Sequence, residues 1–332
     1  MRQPFTQNIK NYKVYHFQAF AREASVVYTC DMSFTEEKAA IALLRISGVG
    51  ADMFRRLLIA YGSPSAAHAA VLTGTARSDG FDVPRTTMKR SVPGLVERTC
   101  DKLDKFGTGE GMFWYGGSGY PARLLNVPEP PPVLFWQGIH DAAKIWNTPV
   151  VAIVGARKAS PAGVNFADKL SRSCVESGWT VVSGGAAGID AAAHNGALET
   201  DGGSAGGVTV AVVATGLDIW YPKSNHALFQ RILAHGLMMS EFFPGTPPVR
   251  SHFPTRNRII AALADAVVFV EGGERSGALI TVRKAIDVQR PVFSFLAEGI
   301  DQGGLSRIVA DDLRVTTVTS CEQLMLCLKN IL

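Results

Sequence analysis

From residue 150 onward the chain alternates short, wholly apolar runs with longer segments of helical period. The runs fall at 150–154, 180–183, 208–213, 237–240, 266–270 and 292–295. A strand with one wet face alternates apolar and polar positions. Runs without a polar face therefore predict strands covered on both sides, as in a parallel sheet flanked by helices. Upstream the period is helical from Phe34. Thr35 stands as an N-cap, Glu36 and Glu37 sit favourably against the helix dipole, and Ile41, Leu44 and Ile46 follow. Leu44-Arg-Ile-Ser-Gly48-Val-Gly50, then Phe54, Leu57, Leu58 and Tyr61-Gly62, reads as helix, tight glycine turn, second helix.

Residues 1–33 carry no usable period, although Tyr12, Tyr15, Phe17 and Phe20 could clamp them to the body of the protein. The stretch 105–132 is rich in glycine and proline, which blocks a helix and marks a boundary near residue 110. Three parts are expected: an N-terminal extension at 1–33, a small helical domain at 34–105, and an extended Rossmann-like α/β domain at 106–332. The glycine turn is similar to a helix-hairpin-helix motif, in which backbone N–H groups meet a nucleic-acid phosphate; a plain helical hairpin explains it equally well.

Composition narrows the classes. With 332 residues, 47% hydrophobic and 19% charged, the chain is globular rather than disordered. Five scattered cysteines form no C-x-x-C pair, which argues against a zinc cage or disulfide framework and favours a reducing cytoplasm. The N-terminus lacks an uninterrupted apolar core, and no stretch reaches about 18 apolar residues, so neither secretion nor membrane spanning is expected. The net charge of +4 is too small to identify a partner, but its position is informative. Between Lys223 and Arg258 stand Lys223, Arg231, Arg250, Arg256 and Arg258 against Glu241 alone, interleaved with Phe229, Phe242, Phe243 and Phe253 and preceded by Trp220 and Tyr221. Cations among aromatic rings suit a single-stranded nucleic acid, which needs phosphate neutralisation and a stacking surface. A solvated basic face over core phenylalanines is the competing reading.

In a doubly wound sheet the ligand lies at the carboxyl ends of the strands. After the first run comes Gly155-Ala-Arg157-Lys158-Ala-Ser160; after the second comes Ser183-Gly184-Gly185-Ala-Ala-Gly188-Ile-Asp190. Both loops are expected to receive anions, through close backbone approach at glycine, helix N-termini and Arg157. A nicotinamide site is not expected, because G-x-G-x-x-G is missing after the first run and the second ends in Ser183 rather than an acid. Asp190 and His194 share a helix face at i, i+4, but no third ligand or nucleophile accompanies them. No catalytic residue, metal or cofactor is expected.

YPARLL at Tyr120, GARKAS at Gly155, SGGAAGIDAAAH at Ser183, TGLDIWYP at Thr215, SEFFPG at Ser240, FPTRNRIIAALADA at Phe253 and ERSGALIT at Glu274 occur in that order. Together they resemble the DprA/Smf family, whose members pair a small helical domain with an extended Rossmann domain. The resemblance implies a protein that binds single-stranded DNA, dimerises and loads a RecA-type recombinase during transformation. It implies a DNA-contacting role for Gly155, Arg157 and Lys158, a phosphate pocket at Ser183, Gly184, Gly185 and Gly188, and strand contacts at Lys223, Arg250, Arg256, Asn257, Arg258, Ser276 and Gly277. Two departures are Glu298-Gly299 where the family has P-G, and a longer loop at 199–207. The chain also leaves no room for the winged-helix module that some members append.

The alternative is a non-catalytic sensor of a nucleotide-derived ligand. LOG-type phosphoribohydrolases carry P-G-G-x-G-T-x-x-E on a similar sheet. The equivalent loop here, from Glu271, puts Leu279 where their carboxylate stands.

Overall fold

The computed structural model describes residues 35–83, 101, 109–138, 142–143, 145–200, 207–297, 300, 303 and 315–331, all within one unit, Thr35–Leu332. The expected extension at 1–33, Glu298-Gly299 and most of the 199–207 loop lie outside the described residues.

Four helices come first: α1 (Glu36–Leu44), α2 (Ala51–Tyr61), α3 (Pro64–Thr73) and the short α4 (Thr75–Ser78). Thr35 caps α1 as expected, its side chain accepting from Lys38 N at 3.4 Å. Gly48 turns the chain at φ 89°, a conformation that only glycine adopts cheaply, and Gly62 ends α2 at φ 82°.

The remaining elements build one sheet and its covering helices. In chain order they are β1 (Glu110–Trp114), β2 (Val133–Gly138), β3 (Val150–Val154), α5 (Pro161–Glu176), β4 (Thr180–Ser183), α6 (Ile189–Leu198), β5 (Thr209–Val212), α7 (His226–His235), β6 (Leu237–Ser240), α8 (His252–Leu263), β7 (Ala266–Phe269), α9 (Ala278–Asp287), β8 (Val292–Phe295), β9 (Val315–Val318) and α10 (Cys321–Lys329). The strand order is β1-β2-β6-β5-β4-β3-β7-β8-β9. The chain winds outward from β3 through β4, β5 and β6, then resumes on the other side of β3 with β7, so the topological switch lies between β3 and β7.

All six apolar runs became strands. The sheet is larger than expected and not purely parallel, because β1 and β2 pair antiparallel with each other and β2 with β6. The described part of this glycine- and proline-rich stretch, from 109 to 132, contains β1 and the turns that lead to β2, two strands that the sequence pattern did not announce. β9, half exposed, was also not anticipated.

Burial explains the unbroken apolar runs. Along β3, Val150, Ala152 and Val154 join the cluster beneath α8 and α9, whereas Val151 and Ile153 join the one beneath α5, α6 and α10. Alternate residues thus meet different helix layers. Each of the buried valines and Ile153 contributes roughly 1.5–3 kcal/mol, Ala152 less. The third cluster joins Ile41, Leu43, Phe54 and Leu57 of the helical segment to Met112, Phe135, Ala211, Phe229 and Met238, so the helices share a core with the β1/β2 side of the sheet. At the opposite end of the strands from the loops of interest, Arg123 of the YPARLL run grips Asp265 through two nitrogens at 3.1 and 2.8 Å and donates to the carbonyls of Trp146 and Thr148. Asp265 also accepts from Val150 N at 2.9 Å, which locks the start of β3 to β7. Among the described residues no helix is long and apolar enough to cross a membrane.

Candidate functional site

The carboxyl ends of β3 and β7 open into a cavity of about 780 Å³. Its wall combines the loop after β3 (Gly155, Arg157, Lys158), the first two turns of α8 (Phe253, Arg256, Asn257), the first turn of α9 (Ala278, Thr281), and the loop between β7 and α9 (Arg275, Ser276, Gly277). Tyr221, Pro248 and Arg250 close the rim, and Asp190 lies among the lining groups. Five cations therefore surround one carboxylate.

Eight of the residues singled out from sequence converge here: Gly155, Arg157, Lys158, Arg250, Arg256, Asn257, Ser276 and Gly277. Arg157 and Lys158 are exposed. The Arg157 guanidinium carbon stands 4.9 Å from the centroid of the Phe253 ring, and that ring is 5.8 Å from Tyr221, itself 40% exposed. A cation over a half-buried ring that abuts an exposed one combines the charge and the stacking surface that suit an unpaired base and its phosphate.

The other candidate site residues named from the sequence lie outside this cavity. In the glycine loop after β4 the N–H of Ala186 turns inward to Asp190 at 3.4 Å, and the Gly185 carbonyl accepts from Asn225 Nδ2 at 3.1 Å. Ser183 is fully buried and its hydroxyl donates to Ile153 O at 2.6 Å. Gly184 lines only a smaller cavity of about 170 Å³ under Tyr221 and Phe253, and its carbonyl accepts from Arg256. Gly188, at φ 81°, lies so close to the carbonyls of Ala156 and Arg157 that a side chain there would overlap them. This permits Ile189 N to donate to Ala156 O at 3.1 Å, while Ala156 N donates to Glu271 O at 2.7 Å. The two loops brace one another and spend these N–H groups doing so.

Two helix N-termini are likewise taken by the protein's own carboxylates. Glu271 accepts from Ser160 N at 3.1 and 3.0 Å and from Ser160 Oγ at 2.8 Å at the start of α5. Asp190 sits in the first turn of α6 and accepts from Ala186 N at 3.4 Å. The first turns of α8 and α9 hold no acid. The cavity therefore offers an anion the exposed side chains of Arg157, Lys158, Arg250 and Arg275 and the acid-free first turns of α8 and α9.

Basic residues close together in sequence separate in space. Arg258 pairs with partly buried Glu241 and donates to Glu129 O at 2.6 Å, a bracket outside the cavity. Lys223 is exposed but does not line the cavity, and Arg231 bonds to Asn195 and Glu199. Phe229 is core. Arg256 is 4% exposed and donates to the carbonyls of Gly184 and Val212 and to Asn257 Oδ1, so it is chiefly the floor. Burial lowers its pKa to about 10, opposed by Asp190 and reinforced by Arg157. Burial raises the Asp190 carboxyl above its usual range, with Arg256 pulling it back.

Arg275, exposed on the wall, was not singled out although the ERSGALIT run contains it. Leu279 packs in the core, as the missing carboxylate of the LOG pattern would suggest.

His194 is fully buried, with Nδ1 2.8 Å from Thr209 Oγ1, and burial lowers its pKa to about 3. Among the described residues no group of three or more potential ligands could hold a metal. The buried imidazole has a testable effect on stability. The unfolded chain takes up a proton near pH 6.5 that the fold refuses until about 3, so His194 contributes stability above that range that is lost as the pH falls. The slope is about 1.4 kcal/mol per pH unit for this one group. Urea unfolding of His194→Gln across pH 7 to 4 should show a shallower acid-side decline than the parent chain; equal slopes would remove His194 as the cause.

A family model described as DNA recombination-mediator protein A matches residues 111–325. Protein Smf of Synechocystis is 46% identical over 176 residues, 53% of this chain and 43% of that protein. The DNA processing protein DprA of Streptococcus pneumoniae is 41% identical over 187 residues, 55% of this chain and 63% of that one. The match thus spans about half the length of these relatives. The crystal structure of the S. pneumoniae protein aligns with a TM-score of 0.71 and 31% identity, covering 87% of this chain and 97% of that one. A Helicobacter pylori DprA structure, described for its single-stranded DNA binding mode, aligns with a TM-score of 0.59 and 26% identity over 67% of this chain and 96% of that one. The family match runs through every strand-end loop around the cavity, and the chain belongs to the DNA recombination-mediator protein A family.

Proposed function

We propose that the cavity at the β3/β7 switch point grips single-stranded DNA and that the protein hands the strand to a RecA-type recombinase, acting as a homodimer and without covalent chemistry. The supporting observation is the meeting of Arg157, Lys158, Arg250 and Arg275 with the rings of Tyr221 and Phe253 around one opening. Exposed cations neutralise phosphates, and accessible rings stack on bases that a duplex keeps hidden. The H. pylori neighbour supports the reading by analogy. The recombinase and dimer parts rest on family membership.

The test is fluorescence anisotropy of a labelled oligo-dT and an equal-length duplex, titrated at two salt concentrations, beside a panel of free nucleotides. Preference for the single strand is expected, with affinity falling at a log–log slope of about −0.7 for each phosphate neutralised. Salt-independent affinity, or saturable binding of a nucleotide without DNA binding, would overturn the proposal and favour a ligand sensor.

A further inference from the structure

Residues 241–251 form a strap from the end of β6 to the start of α8, and it carries Pro248 and Arg250 to the cavity rim. The first half of the strap is anchored. Phe242 N donates to Ser240 Oγ at 3.0 Å, Gly245 N to the Asp218 carboxylate at 2.6 Å, and Gly216 N to Thr246 O at 3.0 Å. Residues 247–250 are exposed throughout. Pro247 and Pro248 fix their own φ angles, so the direction set at Thr246 passes to Arg250 with little freedom. The strap rejoins α8 through His252 N, which donates to Val249 O at 3.0 Å.

The anchor reaches into the helical segment. The Phe243 ring lies 5.4 Å from that of Phe135 in β2, and the Arg45 guanidinium carbon is 3.9 Å from the Phe243 centroid. Arg45 follows α1 directly, at the glycine turn, and is partly buried. A cation over a ring is held more firmly as water is removed from it.

We propose that Arg45 is a positioning residue for DNA binding: by clamping Phe243 it sets the strap that holds Arg250 at the cavity rim. This rests on the cavity being the single-strand site. It gives the glycine turn a part in binding that needs no phosphate of its own.

The experiment uses the full chain with two independent readouts, oligo-dT anisotropy and the rate of tryptic cleavage after Arg250. Arg45→Ala should weaken oligo-dT binding about five-fold and speed that cleavage by a similar factor, with no new cleavage elsewhere. Arg45→Lys, which keeps a cation over the ring, should restore both. Phe243→Leu should match Arg45→Ala, and the double variant should be no worse than Phe243→Leu alone. Unchanged affinity and cleavage in Arg45→Ala, or cleavage rising at many sites together, would overturn the inference. Arg250→Ala separates the two claims. If it binds oligo-dT like the parent chain, the site reading fails, while the cleavage data still judge the clamp.

Discussion

Arg256→Ala should lose about 3–5 kcal/mol of folding stability, more than any other substitution at the cavity, and should read as a folding defect before it reads as a binding defect. The guanidinium is the sole cation among the lining groups that is buried, and it satisfies two backbone carbonyls from neighbouring strand ends, Gly184 and Val212. Its loss leaves those carbonyls in need of partners and strips Asp190 of the charge that offsets its burial. Arg256→Lys should recover little, since one ammonium cannot reproduce a planar fork that reaches both carbonyls and Asn257.

The pH dependence gives this prediction a sign. Without Arg256 the folded state holds a proton on Asp190 more tightly than the unfolded chain, whose carboxyl titrates near 3.9. The folded state then binds more protons than the unfolded one above that value, so the variant loses stability as pH rises. Urea midpoints at pH 5 and pH 8 should show the deficit larger at pH 8. A deficit that does not change between them would uncouple Asp190 from Arg256.

Arg256 also shows how far local sequence signals reach. The strands were legible because burial on both faces leaves an unbroken apolar run, a local signature. The switch point between β3 and β7 came only with the strand order, which no local pattern gives. Whether a given arginine faces solvent or the floor was not legible, because Arg157 and Arg256 differ only in what folds over them. What occupies a helix N-terminus was hidden for a similar reason. The carboxylate that caps α5 at Ser160 comes from Glu271, 111 residues away, and no spacing in the chain announces that pairing. β1 and β2 were hidden by the glycines of their own turns, such as Gly116 and Gly119, both at positive φ. Local chemistry picked out loops that line the cavity, and long-range packing decided which of their atoms face it.

Arg157→Ala should leave stability intact and weaken oligo-dT binding by about 1.5–3 kcal/mol, roughly ten- to 150-fold. The side chain is exposed, so no buried partner is stranded by its removal. Its positive charge works against buried Arg256, so deletion relieves a repulsion rather than creating one. The same change should make the salt slope shallower by about 0.7, as expected when one phosphate fewer is neutralised on a single strand. Arg157→Lys discriminates the two jobs that the position over Phe253 combines. Lysine restores the charge, and so the slope, but lacks the flat guanidinium that lies beside the ring, so affinity should return only in part. Full recovery by lysine would mean that Phe253 contributes nothing through Arg157, and undiminished binding in the alanine variant would mean that the strand does not cross the end of β3.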